Sequence, residues 1–173
     1  MKLTPTQFAD LDARMGMPKK IMLVTQWAAT GDSSGEYTRT CSLSAAGIGL
    51  SDQLVLTAYP GVGHKNAKAH YQTSSNYQAA RLEMGHVGMS HSNRGVRPPG
   101  MPARVAVPHV HLWHENRARL QSDGAGAQLP LANRLPRADM DWEEAVRWFI
   151  EMCQIAAPMS FFPVGLPQSE ALF

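Results

Sequence analysis

Between residues 37 and 45 the side chains alternate without a break. Tyr37, Arg39, Cys41 and Leu43 fall on one face, and Thr38, Thr40, Ser42 and Ser44 fall on the other. A period of two with one polar face predicts a strand of an antiparallel sheet that is covered on one side. Residues 20–28, KIMLVTQWA, are rich in large and β-branched apolar side chains and predict a buried strand. Further strands are expected at 54–59, 67–71, 77–84 and 105–113. Residues 30–36 and the run Pro60-Gly61-Val62-Gly63 carry turn chemistry. Residues 90–102, dense in glycine and proline, and residues 120–137 read as loops.

Two segments switch to helical spacing. Thr4 offers a capping hydroxyl, Pro5 suits the first helical position, Gln7 completes a capping box, and Leu3 with Phe8 fits a hydrophobic staple. Phe8, Leu11 and Met15 then share a face until Gly16 and Pro18 end the run. Residues 141–155 form the second helix. Asp141 caps it, Glu144 reaches back, and Trp142, Val146, Phe149, Ile150 and Cys153 make its apolar stripe. The expected fold class is α+β: an antiparallel β-sheet with an N-terminal and a C-terminal helix packed on one face. One domain over residues 1–157 holds it, and a proline-rich tail, 158–173, is expected to lie along the surface.

The chain has 173 residues, 44% hydrophobic and 17% charged, which excludes an intrinsically disordered composition. No apolar run approaches the roughly 18–20 residues of a membrane helix. Residues 1–10 lack the apolar core of a secretion signal, so a cytoplasmic address and no membrane partner are expected. Cys41 and Cys153, the two cysteines, are expected to be reduced and buried. A net charge of +2 is too mild to demand nucleic acid, but its distribution is uneven. Residues 81–119 hold Arg81, Arg94, Arg97, Arg104, Arg117 and Arg119 against Glu83 and Glu115, and five of the seven histidines.

Those histidines carry the candidate chemistry. On a strand, residues two apart point the same way, so His109, His111 and Trp113 share a face while Val110 and Leu112 turn to the core. The two imidazoles then stand about 7 Å apart at their bases, a spacing that suits two ligands of one metal or two groups handling one phosphate. A lone strand histidine is more often structural; two on one face shift the balance toward use. His114 is out of register, and His86, His64 and His70 carry no assigned role. The loop before this strand adds His91, Asn93 and Arg94 within four positions.

The succession Arg81-Leu82-Glu83, Gly85, His91-Ser92-Asn93, Pro108-His109-Val110-His111-Leu112-Trp113 and a closing helix through Phe149 and Cys153 resembles a family of small bacterial proteins. That family is a domain of unknown function associated with toxin–antitoxin systems or mobile elements, and the resemblance covers about residues 77–155. Arg94-Gly95 stands where the family tends to have Pro-Asp-Gly. The run His109-Val110-His111-Leu112-Trp113-His114 also looks like the histidine-triad nucleotide-binding signature, departing from it where Trp113 replaces the third histidine. No phosphate-cradling Gly loop ending in Lys-Ser/Thr occurs, and no His-Glu-x-x-His helix.

Three functions are expected to compete. The first is histidine-based phosphodiester cleavage, as in a small toxin-like ribonuclease, with His109 and His111 moving protons, His91 as their catalytic partner or a ligand, and Arg94 stabilising charge. Asn93, Arg97, Trp113 and Arg117 would bind the RNA or nucleotide. The second is a metal domain in which His109, His111 and His91 ligate a divalent transition metal such as zinc. The third is a non-enzymatic module whose exposed Trp113, Phe161, Phe162 and Phe173 dock a cognate antitoxin or a neighbouring-gene protein.

Overall fold

The computed structural model describes residues 3–31, 35–45, 51–59, 67–85, 88–123 and 129–167. Helices are α1 Pro5–Gly16, α2 Trp113–Asp123 and α3 Trp142–Met152. Strands are β1 Lys19–Val24, β2 Ala28–Ala29, β3 Tyr37–Ala45, β4 Gln53–Ala58, β5 Ala67–Gln72, β6 Gln78–Glu83, β7 Ser90–Ser92, β8 Arg104–Ala106, β9 His109–Leu112, β10 Asn133–Arg134 and β11 Ile155–Ala156. One sheet runs in the order β10-β9-β6-β5-β4-β3-β1-β11, with β2 beside β3, while β7 and β8 pair separately as a short ribbon. All pairings are antiparallel except β1 with β11. The architecture is α+β.

The pleat sorts the sheet into two faces. Cys41, Leu54, Tyr71, Ala80 and Leu112 lie in one row of paired positions, and Leu56, Ala69, Leu82 and Val110 lie in the next. These side chains are buried, and Phe8 and Leu11 of α1, Trp113 and Leu120 of α2, and Val146 and Phe149 of α3 join them in one core. Both expected caps form: Thr4 with Gln7, and Asp141 with Glu144, each as a reciprocal box. The other face carries Val55, His70, Arg81 and His111 in one row and Thr57, Lys68, Glu83 and His109 in the next. The functional question concerns that second face.

Five expectations change. The segment 20–28 is not a fully buried strand, because β1 lies near the sheet's edge and leaves Met22 and Leu23 exposed. The segment 105–113 is not one strand: it breaks at Val107-Pro108, sending β8 to the ribbon and β9 to the main sheet. Gly85 sits against this break, where an added Cβ would come within 2.7 Å of Val107 Cγ1. The loop expected at 120–137 begins inside α2, and residues 90–102 begin with β7. Lastly, Phe161 and Val164 of the tail pack into the core and Phe162 stacks under the Arg147 guanidinium, so Phe161 offers no docking surface. Phe173, and the run from Pro60 to Gly63, lie outside the described residues. Cys41 and Cys153 are both buried and unbonded.

A buried polar hub ties α1 to the sheet. Asp52 is fully buried and accepts hydrogen bonds from Tyr71 Oη at 2.6 Å, from the Ser74 amide at 3.0 Å and from the Arg14 guanidinium. Lys19, also buried, donates through Nζ to the Arg14 and Met17 carbonyls at 2.6 Å each, closing the C-terminal end of α1. Removing the Asp52 carboxylate leaves the buried Tyr71 hydroxyl and the Arg14 guanidinium without that partner. Asp52→Ala is therefore expected to cost about 3–5 kcal/mol, measured as a fall in the urea midpoint at unchanged slope.

Candidate functional site

Strand β9 must turn Val110 and Leu112 into the core, so His109 and His111 project together from the opposite face. Antiparallel pairing with β6 sets Arg81 directly beside His111 and Glu83 beside His109. The β7–β8 ribbon brings the third imidazole, His91. Ring centroids are 4.8 Å apart for His91 and His111, 5.1 Å for His109 and His111, and 5.6 Å for His91 and His109. One nitrogen from each ring lies within 4.8 Å of the others. His109 and His111 are almost wholly buried, at 2% and 0% exposure, and His91 is half-buried.

Each ring also has an oxygen neighbour. His111 Nδ1 lies 2.8 Å from the Leu129 carbonyl, and His91 Nε2 lies 2.7 Å from the Pro130 carbonyl. Carbonyls only accept, so these two nitrogens carry the protons and the tautomers are fixed. His109 Nε2 stands 3.3 Å from Glu83 Oε2 at ion-pair range, though neither nitrogen of this buried ring completes a hydrogen bond among the described residues. With Nδ1 protonated, His111 Nε2 is an acceptor, and Arg81 donates to it at 3.1 Å. Arg81 Nε in turn lies 2.7 Å from Glu83 Oε1.

The electrostatics follow from this crowding. Burial, and then the neighbouring Arg81 guanidinium, push the His111 pKa well below the usual imidazole value, so the ring is neutral. The His109 imidazole, together with Arg81, holds Glu83 below the usual carboxylate range and keeps it ionised. His70, next to Arg81 in the same row, is likewise lowered, chiefly by burial.

The carbonyls come from the segment 129–133, which two buried asparagines hold in place. Asn93 Nδ2 donates to the Pro102 and Ala132 carbonyls at 2.8 and 2.7 Å, and its Oδ1 accepts from the Ala132 amide at 2.8 Å. Asn116 Nδ2 donates to the Leu112 and Leu131 carbonyls at 2.9 Å, and its Oδ1 accepts from the Leu131 amide at 2.6 Å. Asn93, expected to touch substrate, is instead a fully committed backbone clamp that docks the ribbon. Trp113 is also displaced: the chain turns into α2 at this residue, and its ring is buried in the core against Phe8, with Nε1 donating to Asp12. Arg117 pairs with the same aspartate on α1. Arg94 and Arg97 are exposed on the loop after β7, and Arg97 donates to the Asn93 carbonyl at 3.3 Å. His114 is exposed on α2, while His64 and His86 lie outside the described residues.

Thus His91, His109 and His111 come together, and the cation and carboxylate beside them are Arg81 and Glu83. The signal for those two was present: they alternate around the core residue Leu82 as the two histidines alternate around Val110. Pairing β6 with β9 in register was the missing step. No protein-family model matches the chain, and no curated protein or solved structure matches it.

Two measurements test this site. Between about pH 6.5 and 5 the unfolded chain takes up a proton at His111 that the folded chain refuses, so stability falls as pH drops. Glu83 acts in the same direction lower down: its contribution is present above the unfolded carboxyl value and lost as pH falls toward the folded one. Urea midpoints of the metal-free protein should decline from pH 7 to 5, and His111→Asn should flatten the upper part of that decline. Separately, Asn93→Ala leaves the Ala132 amide and carbonyl unpaired. It should cost roughly 2–4 kcal/mol in urea denaturation and raise amide hydrogen exchange in β7 and β8.

Proposed function

We propose that this chain binds a divalent transition metal, zinc in type, on His91, His109 and His111. The observation that supports it is the outer set of contacts. Two rings have their second nitrogen on a backbone carbonyl and the third has a carboxylate beside it, the arrangement that fixes metal-ligating imidazoles and raises their basicity. The chemistry of the donors agrees, since neutral imidazole suits zinc and its neighbours in the first transition row. Metal–nitrogen bonds of 2.0–2.1 Å place tetrahedral ligand atoms about 3.4 Å apart, so the rings would close inward by roughly an ångström. Binding at His111 Nε2 displaces the Arg81 hydrogen bond there, and Arg81 keeps its ion pair with Glu83.

Three imidazoles on such an ion leave a fourth position for water and bring that water's pKa near neutrality. Arg81 is the group that would meet an anionic substrate beside the cluster, and Glu83 holds both Arg81 and His109 in place. Hydrolysis of a phosphodiester, RNA in the toxin-like case, is the reaction class this set favours. Metal-free acid–base cleavage is the weaker reading, because both ring nitrogens of His111 and one of His91 already have hydrogen-bond partners.

Elemental analysis of untagged protein should find about one equivalent of a transition metal per chain, with chelator lowering the melting temperature. His91→Ala should abolish stoichiometric metal while circular dichroism stays native, and His114→Ala, on an exposed residue outside the cluster, should retain it. Wild-type protein that takes up no zinc, cobalt or nickel in competition with a chelating dye overturns the metal assignment. RNA left intact by metal-loaded protein overturns the cleavage assignment.

A further inference from the structure

His111 has one atom to offer a metal, and Arg81 already holds it. The Leu129 carbonyl keeps the proton on His111 Nδ1, so the lone pair lies on Nε2, where Arg81 Nη2 donates at 3.1 Å. One ring lone pair serves one partner at a time, so guanidinium and metal exclude each other at this nitrogen. The other two rings differ. His91 keeps its proton on Nε2 against the Pro130 carbonyl, which leaves Nδ1 for an ion, and no hydrogen bond occupies either nitrogen of His109 among the described residues.

Arg81 is held where it stands. Its side chain is 21% exposed, and Nε lies 2.7 Å from Glu83 Oε1. Strand pairing fixes its base between His111 on β9 and His70 on β5. The remaining contact is long, from Nη1 to Gln78 Oε1 at 3.4 Å. A metal on His111 Nε2 therefore takes the acceptor from Nη2 while the Glu83 anchor keeps the guanidinium beside the new positive charge. A stranded N–H is costly in that setting, and so is the like-charge contact. An oxyanion relieves both, because it can fill the metal's fourth position and accept from Arg81 together.

We propose that Arg81 makes a metal ion and a phosphate-class oxyanion bind cooperatively. The guanidinium caps His111 while the cluster is metal-free and passes to the anion when the metal arrives. This inference rests on the metal reading above and adds to it a condition for occupancy. Metal alone binds against the loss of the Arg81 hydrogen bond, and anion alone finds that donor engaged by His111. By linkage, the factor by which the anion raises metal affinity is the factor by which the metal raises anion affinity. A phosphodiester fits the anion's place, since its two non-bridging oxygens can divide between ion and guanidinium.

The test is the cobalt(II) affinity of the full chain, read by competition with a chelating dye at one fixed pH. It is run with and without dimethyl phosphate at matched ionic strength. The anion should tighten cobalt about tenfold and change the visible spectrum of the bound ion. Arg81→Met keeps the buried stem and removes the donor; it should bind cobalt about tenfold tighter than wild type without the anion and gain little from adding it. Lys68→Met removes a positive charge from the same face, in the row of Glu83 and His109, and should retain the full anion effect. That control separates loss of the donor from loss of charge. If Arg81→Met does not fold, nitrogen NMR of the wild-type Arg81 guanidinium decides: zinc should shift its signals, and dimethyl phosphate should shift them again. Cobalt bound with no gain from the anion, Arg81→Met no tighter than wild type, or guanidinium signals unmoved by zinc overturns this inference and leaves the metal reading standing. A chain that takes up no metal with or without the anion overturns both.

Discussion

The pleat of β9 governs everything on the second face of the sheet. Because Val110 and Leu112 have to enter the core beside Leu82 and Ala80, His109 and His111 have no other direction to take. The same parity on β6 lifts Arg81 and Glu83 to meet them. A slip of one residue in that pairing would exchange two histidines for a valine and a leucine, and the core would lose its apolar lining at the same stroke. Fold and cluster are thus enforced by one set of contacts, and selection for a stable core also maintains the arrangement of the imidazoles.

What completes the site is backbone rather than side chain. Residues 129–134 pair with β9 only over the two positions of β10, so most of their carbonyls and amides need other partners. Asn93 and Asn116 meet part of that demand with side-chain amides, and the imidazoles of His91 and His111 meet another part. The histidines therefore satisfy the backbone while the backbone fixes their tautomers. Each side supplies what the other lacks.

Much of this was legible from the sequence where a single local rule decides. The caps at Thr4 and Asp141, the β3 alternation and the shared side of His109 and His111 all follow from periodicity and capping chemistry. The readings that failed depend on tertiary context. Trp113 fits a strand pattern but opens α2, because helix–helix packing against Phe8 and a bond to Asp12 outweigh its β propensity. Asn93 resembles a loop ligand because amides occur in both binding sites and clamps, and only its three backbone partners separate the two roles. Arg81 was read as part of a charged window; strand register alone makes it the neighbour of His111.

The ribbon has a consequence for kinetics. His91 rides on a two-stranded piece only three residues long on each side, outside the nine-stranded sheet, whereas His109 belongs to that sheet. Short peripheral elements open far more readily than central strands. Under the proposed metal reading, lifting the ribbon would remove one donor and uncover the other two without disturbing the core, so the lifetime of a bound ion would follow the breathing of β7 and β8 instead of global unfolding.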